Sequence, residues 1–405
     1  MIELDDRLRI LQRAAREWAT ELRSHALEVD RDPDAVMRLL DVPVIRGSGT
    51  LQIPPEYNPH PLVLSGERFY MMSALERVVA LEECAWGDAS LMLAAPGAPM
   101  AGIVVAALGD EEQKERFFGR LLERLTWACF ALSEPARGSD AMAMTTTLTP
   151  ATGGGFTLNG GKRYVGNAVR AQLAVVFARA GKGPTGLKAV LVDTSASGFK
   201  AEPVPTLGLR GAQLGAITLT DLEVSDEQVL GRHLSSTRAG LWAWLRTFNV
   251  LRPTVASMGV GMAQAAVDYV RAHRRQLTSH ERDMIDTMDR QINAVRHLTR
   301  RSAIAVDANL SDGYIASAAK VRASRIAEDV TMRALDFFGP AARLEHPLLE
   351  KLARDVRGIE YMEGTTNVQR LSLFNLLART SNAGRGMGSG TAQGGRPEFG
   401  GSSVT

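Results

Sequence analysis

The chain has 405 residues, 45% of them hydrophobic, and a net charge of +2. That length and apolar content suffice for a large buried core shared among two or three subdomains. Lys and Arg are spread along the chain rather than blocked, so nothing points to nucleic acid or another polyanion as a partner.

The N-terminus, MIELDDRLRI, is charged and amphipathic, unlike a signal peptide. The longest apolar run, PMAGIVVAALG, is far short of the ~20 residues a membrane helix needs and reads as a buried helix. No membrane partner is expected. Cys84 and Cys129 lie in apolar settings with no CxxC or Cys/His spacing, which reads as buried reduced thiols and a cytoplasmic location.

Residues 1–126 read as a helical domain: Leu8, Leu11, Trp18 and Leu22 recur at helical spacing, and EEQKERFFGRLLERL is amphipathic. Residues 127–234 read as an antiparallel β domain. AQLAVVFARA and LKAVLVDTS are short apolar runs bounded by breakers. In AITLTDLEV the pair Ile217 and Leu219 alternates on one phase and Leu222 and Val224 on the other. Asn159-Gly160 in FTLNGGKRYV predicts a hairpin between two short strands.

Residues 235–380 return to a helical period. Gly259, Gly261 and Ala263 suit close helix packing, and Ala319, Ala323, Ile326, Val330 and Ala334 run down a further helix that Gly339-Pro340 stops. The tail, 381–405, is Gly/Ser-rich and reads as disordered. Helical, then β, then helical implies a β domain held between two helical ones, with a cleft at the junction.

There is no P-loop, GxGxxG, HExxH or nucleophile elbow, and the seven histidines show no ligand spacing, so no metal is expected. Two segments remain. In CFALSEPARGSD, residues 129–140, a strand-like lead ends in a Gly-Ser-Asp turn with Ser133 and Ser139 as hydroxyls; a strand end with a tight turn explains it locally. In GIEYMEGTTNVQR, residues 358–370, Glu363 falls in a break between one helical pattern (Leu348, Leu352, Val356, Ile359) and another (Val368, Leu371, Phe374, Leu377). There it is either a carboxylate favouring the next helix N-terminus or a base. Glu360, nearer the end of the first helix, is expected to face water.

From about residue 75 to 380 these motifs, in this order, resemble the acyl-CoA dehydrogenase family. CFALSEPARGSD resembles its aromatic-x-x-Thr/Ser-Glu-Pro-x-x-Gly-Ser-Asp signature, and LNGGKRYVGNA its Gly-x-Lys-x-Trp-Ile-Thr-Asn. EEQKERFFGRL, LGLRGAQLGAITLTDLEV, FNVLRPTVASMGVGMAQAA and YMEGTTNVQRL match further family segments.

The resemblance implies a mainly α fold with a central β domain and a C-terminal four-helix bundle, assembled as a homodimer or homotetramer. It implies FAD as cofactor, and an acyl-CoA or acyl-carrier protein substrate. The acceptor would be electron-transferring flavoprotein or dioxygen. Glu363 would take the α proton, Arg252 would place it, and the Glu363 amide would help hold the thioester carbonyl. Phe130, Leu132 and Ser133 would contact flavin, Ser139 the substrate, and Thr365 and Asn367 the adenosine half.

The sequence departs from the family at several of these positions. The flavin-flanking Trp is Tyr164, the Thr near flavin N5 is Gly166, and the aromatic residue before the base is Met362. Asp336, near Gly339, stands where a Gln from the partner subunit approaches the pyrophosphate. The segment after Arg274 lacks the usual Phe-Gly and is shorter, although Arg274 or Arg275 retains a cation for phosphate. Arg137 would meet an anionic group on substrate or carrier. These departures point to a divergent, biosynthetic member. The alternatives are a flavin oxidase or monooxygenase, and a redox-silent thioester-binding protein that has lost FAD.

Overall fold

The computed structural model describes residues 2–235, 243–310 and 313–375. The Gly/Ser-rich tail and Leu377 lie outside the described residues. The chain opens with α1 (Asp6–Arg31), whose apolar face carries Leu8, Leu11 and Leu22, and whose N-terminus is capped by the Asp5 carboxylate accepting from the Leu8 amide at 2.8 Å. There follow α2 (Pro43–Ser48), a small hairpin of β1 (Leu62–Leu64) and β2 (Glu67–Phe69), then α3 (Ala74–Ala94), α4 (Pro99–Leu108) and α5 (Glu111–Glu123). The hairpin interrupts a stretch expected to be wholly helical. Its Ser65-Gly66 turn takes positive φ at both residues, the geometry that matches strand twist. The apolar run PMAGIVVAALG is α4, and it packs with Phe117 and Phe118 of α5 against the next domain.

The β domain comprises β3 (Ala128–Ala131), β4 (Thr147–Pro150), β5 (Phe156–Val165), β6 (Leu173–Arg179), β7 (Leu187–Asp193), β8 (Phe199–Pro203) and β9 (Gly215–Val224) in one sheet. Most pairings are antiparallel, as expected, but β3 and β4 both run parallel to β6. They lie end to end along the same edge of β6, with Ala128–Ala131 opposite 173–176 and Thr147 opposite Arg179. Residues 132–146 leave the sheet between them.

The expected hairpin at Asn159-Gly160 does not form. β5 runs unbroken through it, and the local irregularity is a bulge: Leu158 pairs with Leu222 but Gly160 with Leu219. The extra residue on β9 lies at Asp221 (φ 46°), whose amide donates to the Asn159 side chain at 2.8 Å. The bulge also explains why Ile217 and Leu219 alternate out of phase with Leu222 and Val224, since all four are buried. Gly160 takes φ 143°, and a Cβ there would stand 2.7 Å from Thr146. Close approach, not a turn, is what requires this glycine.

The last part is helical: α6 (Ala243–His273), α7 (Ser279–Ala308), α8 (Tyr314–Asp336), the short α9 (Ala342–Glu345) and α10 (Pro347–Ile359), with residues 366–375 forming a further helix. The β domain is not simply sandwiched between helical parts. α3 packs directly on α6, with Ala85 and Ala89 sharing the core of Val255, Met258 and Met262. The β domain leans on both. The Trp127 indole donates to the Ala94 carbonyl at 2.8 Å, the Gly211 amide to Ser90 Oγ at 2.7 Å, and the Leu209 amide to Asp355 at 2.6 Å. Asp355 and Asp88 share the buried Lys351 ammonium, so α3, α10 and the 209–211 turn meet at one ion cluster.

Gly261 sits where α6 crosses α3, and a Cβ would fall on the Glu82 carbonyl. Gly261→Ala is expected to cost ~1–3 kcal/mol through forced separation of these helices, measured as a lower thermal midpoint.

Candidate active site

α10 ends at Ile359 and the next helix begins at 366, so residues 360–365 form a break. The carboxylate that serves the second helix is Glu360. It accepts from the Thr366 amide at 2.8 Å and from the Thr366 hydroxyl. The expectation that Glu360 faces water is therefore wrong: the chain turns back after α10, so a side chain near the end of one helix reaches the orphan amide of the next. Thr365 completes the cap, its hydroxyl accepting from the Val368 amide at 3.4 Å. With both positions filled, Glu363 is left without a structural task.

Glu363 takes φ 49° and Gly364 φ 93°. This left-handed pair turns the Glu363 side chain away from the helix cap. Its Oε2 is enclosed and has no hydrogen-bond partner among the described residues. Burial raises its pKa from the usual carboxylate range to about 7, against the opposing charges of Lys320 and Arg252. No acceptor meets the Glu363 amide among the described residues.

The backbone around it is held from three sides. Gln369 Nε2 donates to the Glu363 carbonyl at 2.8 Å, and the Arg252 guanidinium approaches the same oxygen at 3.5 Å. Arg252 is itself fixed by Asn249 at 2.8 Å, and burial lowers its pKa to about 10. Lys320, on α8, donates to the Glu360 carbonyl at 2.7 Å and the Gly364 carbonyl at 2.8 Å. Met362 packs half-buried on the bundle core.

One face of α6 joins this break to the β domain. Phe248 lies one turn before Arg252, and its ring meets Phe130 of β3 edge-on at 6.2 Å. Phe130 also packs on Phe177 at 5.2 Å. Beyond β3, the Ser133 carbonyl accepts from the Arg163 amide at 2.9 Å, which brings Tyr164 alongside. Tyr164 is held at φ 63° and is 58% exposed, and at Gly166, two residues on, a Cβ would stand 3.9 Å from the Leu214 side chain, an ordinary contact. Among the described residues nothing bonds to the Ser133 amide or hydroxyl. The Phe130–Phe248 contact thus joins the two sides of a junction, with Leu132, Ser133 and Tyr164 following on the β side and Arg252, Met362 and Glu363 on the bundle side.

Other expected residues stand elsewhere. Arg137 and Ser139 are exposed on the turn closed by mutual Glu134–Arg137 backbone bonds. Arg274 is ion-paired to Glu281 at 2.5 Å, and Glu281 also closes the capping box of α7 with Thr278, so the shortened connection is residues 274–278. Arg274 lies about 33 Å along α6 from Arg252, and Asp336 about 24 Å along α8 from Lys320, at 1.5 Å per residue. Within one chain neither they nor Gly339 reaches Glu363, and Asn367 is exposed.

Sequence reasoning missed Lys320, and it gave Glu134 of the signature no role. Glu134 is buried and accepts from the amides and hydroxyls of Thr145 and Thr146 and from Lys162 at 3.1 Å. Burial would raise its pKa, but these hydrogen bonds outweigh that and hold it at about 2. Burial lowers the Lys162 ammonium to about 8, and its second bond goes to the Leu132 carbonyl at 3.0 Å. The pair fixes the segment carrying Leu132 and Ser133. The signal was the Lys in LNGGKRYV, two positions before Tyr164 and interior to a strand.

The same division appears in comparison with known proteins. Residues 5–124, 129–222 and 238–376 match the N-terminal, middle and C-terminal domains of acyl-CoA dehydrogenase in turn. The chain is 30% identical over 316 residues to the caffeyl-CoA reductase–Etf complex subunit CarC of Acetobacterium woodii, covering 75% of this chain and 82% of that one. It belongs to the acyl-CoA dehydrogenase family. As a member it is a flavin oxidoreductase of the CH–CH bond of acyl thioesters.

Family relatives include the 3-(aryl)acrylate reductase of Clostridium sporogenes, 28% identical over 91% of this chain and 98% of that one. The structure of butyryl-CoA dehydrogenase from Megasphaera elsdenii superposes with a TM-score of 0.81 at 25% identity, covering 93% of this chain and 100% of that one. Among the described residues no helix is long and apolar enough to cross a membrane, and no His, Cys, Asp and Glu group could hold a metal ion.

Glu360→Ala is expected to cost ~0.5–2 kcal/mol, the range for a lost helix cap, read as a fall in thermal midpoint.

Proposed function

We propose that the protein interconverts a saturated and an α,β-unsaturated acyl thioester with FAD, Glu363 handling the α proton. The observation that carries this is the enclosed, unpartnered Glu363 Oε2 in a break whose capping work is done by Glu360 and Thr365. A carboxylate oxygen enclosed and unpaired is costly to the fold, and a pKa near 7 suits a base working near neutrality.

The residues present fit a flavin at the junction of β domain and bundle. The free amide and hydroxyl of Ser133 would bond its ring, Phe130 and Leu132 would flank it, and the exposed Tyr164 ring would stack on it. Bound there, FAD supplies the hydride acceptor for the β carbon. Glu363 removes the α proton through Oε2. The Glu363 amide donates to the thioester carbonyl as negative charge develops on it, a preorganised contact of the oxyanion-hole kind. Arg252 and Gln369 keep that peptide in place, and Met362 excludes water.

The substrate carrier is CoA or an acyl-carrier protein, with Arg137 on the exposed turn reading its anionic part. Electrons pass to electron-transferring flavoprotein or dioxygen; the name of the Acetobacterium relative includes an Etf complex. Arg274, Asp336 and Gly339 would approach a second copy's cofactor in a homodimer or homotetramer, and Thr365 and Asn367 would serve the adenosine half of FAD. The setting is cytoplasmic.

The purified protein should show flavin absorption that bleaches with butyryl-CoA or 3-phenylpropionyl-CoA. A colourless protein that cannot be loaded with FAD would sink the reading. Glu363→Gln should keep the flavin and lose ~10²–10⁴-fold in turnover.

The same variant has a stability signature. With the folded pKa raised to about 7, the native state binds more protons than the unfolded chain between the ordinary carboxylate pKa and 7. Stability therefore falls as pH rises through that window. Glu363→Gln removes the fall, so its thermal midpoint should match wild type near pH 4 and exceed it above pH 7.

A further inference from the structure

Lys320 is a fully buried cation with no carboxylate at ion-pair distance among the described residues. Its two hydrogen bonds go to backbone carbonyls, of Glu360 at 2.7 Å and Gly364 at 2.8 Å. Burying an ammonium is costly, and a hydrophobic side chain of similar volume would serve packing better. A structural account is available for one bond, since Glu360 follows α10 directly and a cation at a helix C-terminus satisfies its last carbonyls. It does not cover the second. Gly364 lies beyond the helix, and the two carbonyls bracket Glu363.

Resting on the reading of Glu363 as the base, we infer that Lys320 is its positioning residue. The ammonium pins the backbone on both sides of Glu363 and sets a fixed positive charge facing the carboxylate. The two functions need the same group: a neutral donor could hold a carbonyl but would leave the half-buried carboxylate without its largest compensating charge.

The charged groups facing Glu363 are few. Arg252 approaches from α6, Lys320 from α8, and Glu360 lies in the break itself with its carboxylate engaged by Thr366. Of the two cations, Lys320 opposes the effect of burial on Glu363 more strongly than Arg252. Burial in turn lowers Lys320 to about 8, against the pull of Glu360 and Glu363.

The experiment compares wild type with Lys320→Met, Lys320→Gln and Lys320→Arg. Loss of the charge should move the acid limb of the pH–rate profile upward by about one unit, lowering kcat/KM about fivefold at pH 7 and about tenfold well below it; Lys320→Arg should leave the limb in place even where kcat falls. Lys320→Gln retains an amide donor for one carbonyl and so keeps a folded neutral variant in hand. The same carboxyl is read without substrate from the thermal-midpoint difference between Glu363 and Glu363→Gln chains across pH. In a neutral Lys320 background the pH at which that difference levels off should shift upward, and the difference there should grow.

A neutral variant whose rate profile and midpoint difference keep the wild-type pH dependence, scaled only by a constant factor, would overturn the inference. If Glu363→Gln itself keeps full turnover, the base assignment fails instead.

Discussion

The site depends on one constraint: a carboxylate oxygen is enclosed without being satisfied. Almost every nearby polar contact serves that end indirectly. Glu360 takes the helix cap, Gln369 and Arg252 take the Glu363 carbonyl, and Lys320 takes the carbonyls on either side. Three helices contribute, so the break cannot relax toward pairing its own acid without undoing contacts in α6 and α8. Glu363 lies at a left-handed φ, a conformation that non-glycine residues adopt at a cost the surrounding contacts must meet.

The opposite solution appears across the junction. Glu134 is buried, yet it receives donors from Thr145, Thr146 and Lys162 and remains a strong acid. Its work is mechanical: with Lys162 it locks the strand end that carries Ser133 beside Tyr164. Two glutamates, one saturated with donors and one whose Oε2 is enclosed without any, thus stand on either side of the junction.

Much of this was legible in the sequence. Helical and strand periods located the three structural regions, and motif order pointed to Glu363, Arg252, Ser133 and Tyr164. What escaped depended on contacts distant in sequence. Asn159-Gly160 carries a hairpin signal, but its partner Asp221 is 62 residues away, and only the β5–β9 register shows it to be a bulge. Glu360 looked solvated because its helix was considered alone; the fold brings the next helix back over it. Lys320 is one lysine in an alanine-rich amphipathic pattern, and nothing local distinguishes a buried ammonium from a surface one. The direct packing of α3 on α6 was half visible, since Gly261 announced a close approach without naming the Glu82 backbone as its neighbour.

The arrangement of β3 and β4 along a single edge of β6 has a further consequence. Because the chain leaves that edge at residue 131 and rejoins it at 147, the excursion between them is a loop anchored at both ends by the same strand. Its length and outer residues, Arg137 and Ser139 among them, are free to change without altering any pairing of the sheet. Evolution can therefore retune what the turn meets while the strand end that serves the junction stays where Glu134 and Lys162 hold it. A fixed strand end and an exposed turn are thus separately adjustable on one continuous segment of fewer than twenty residues.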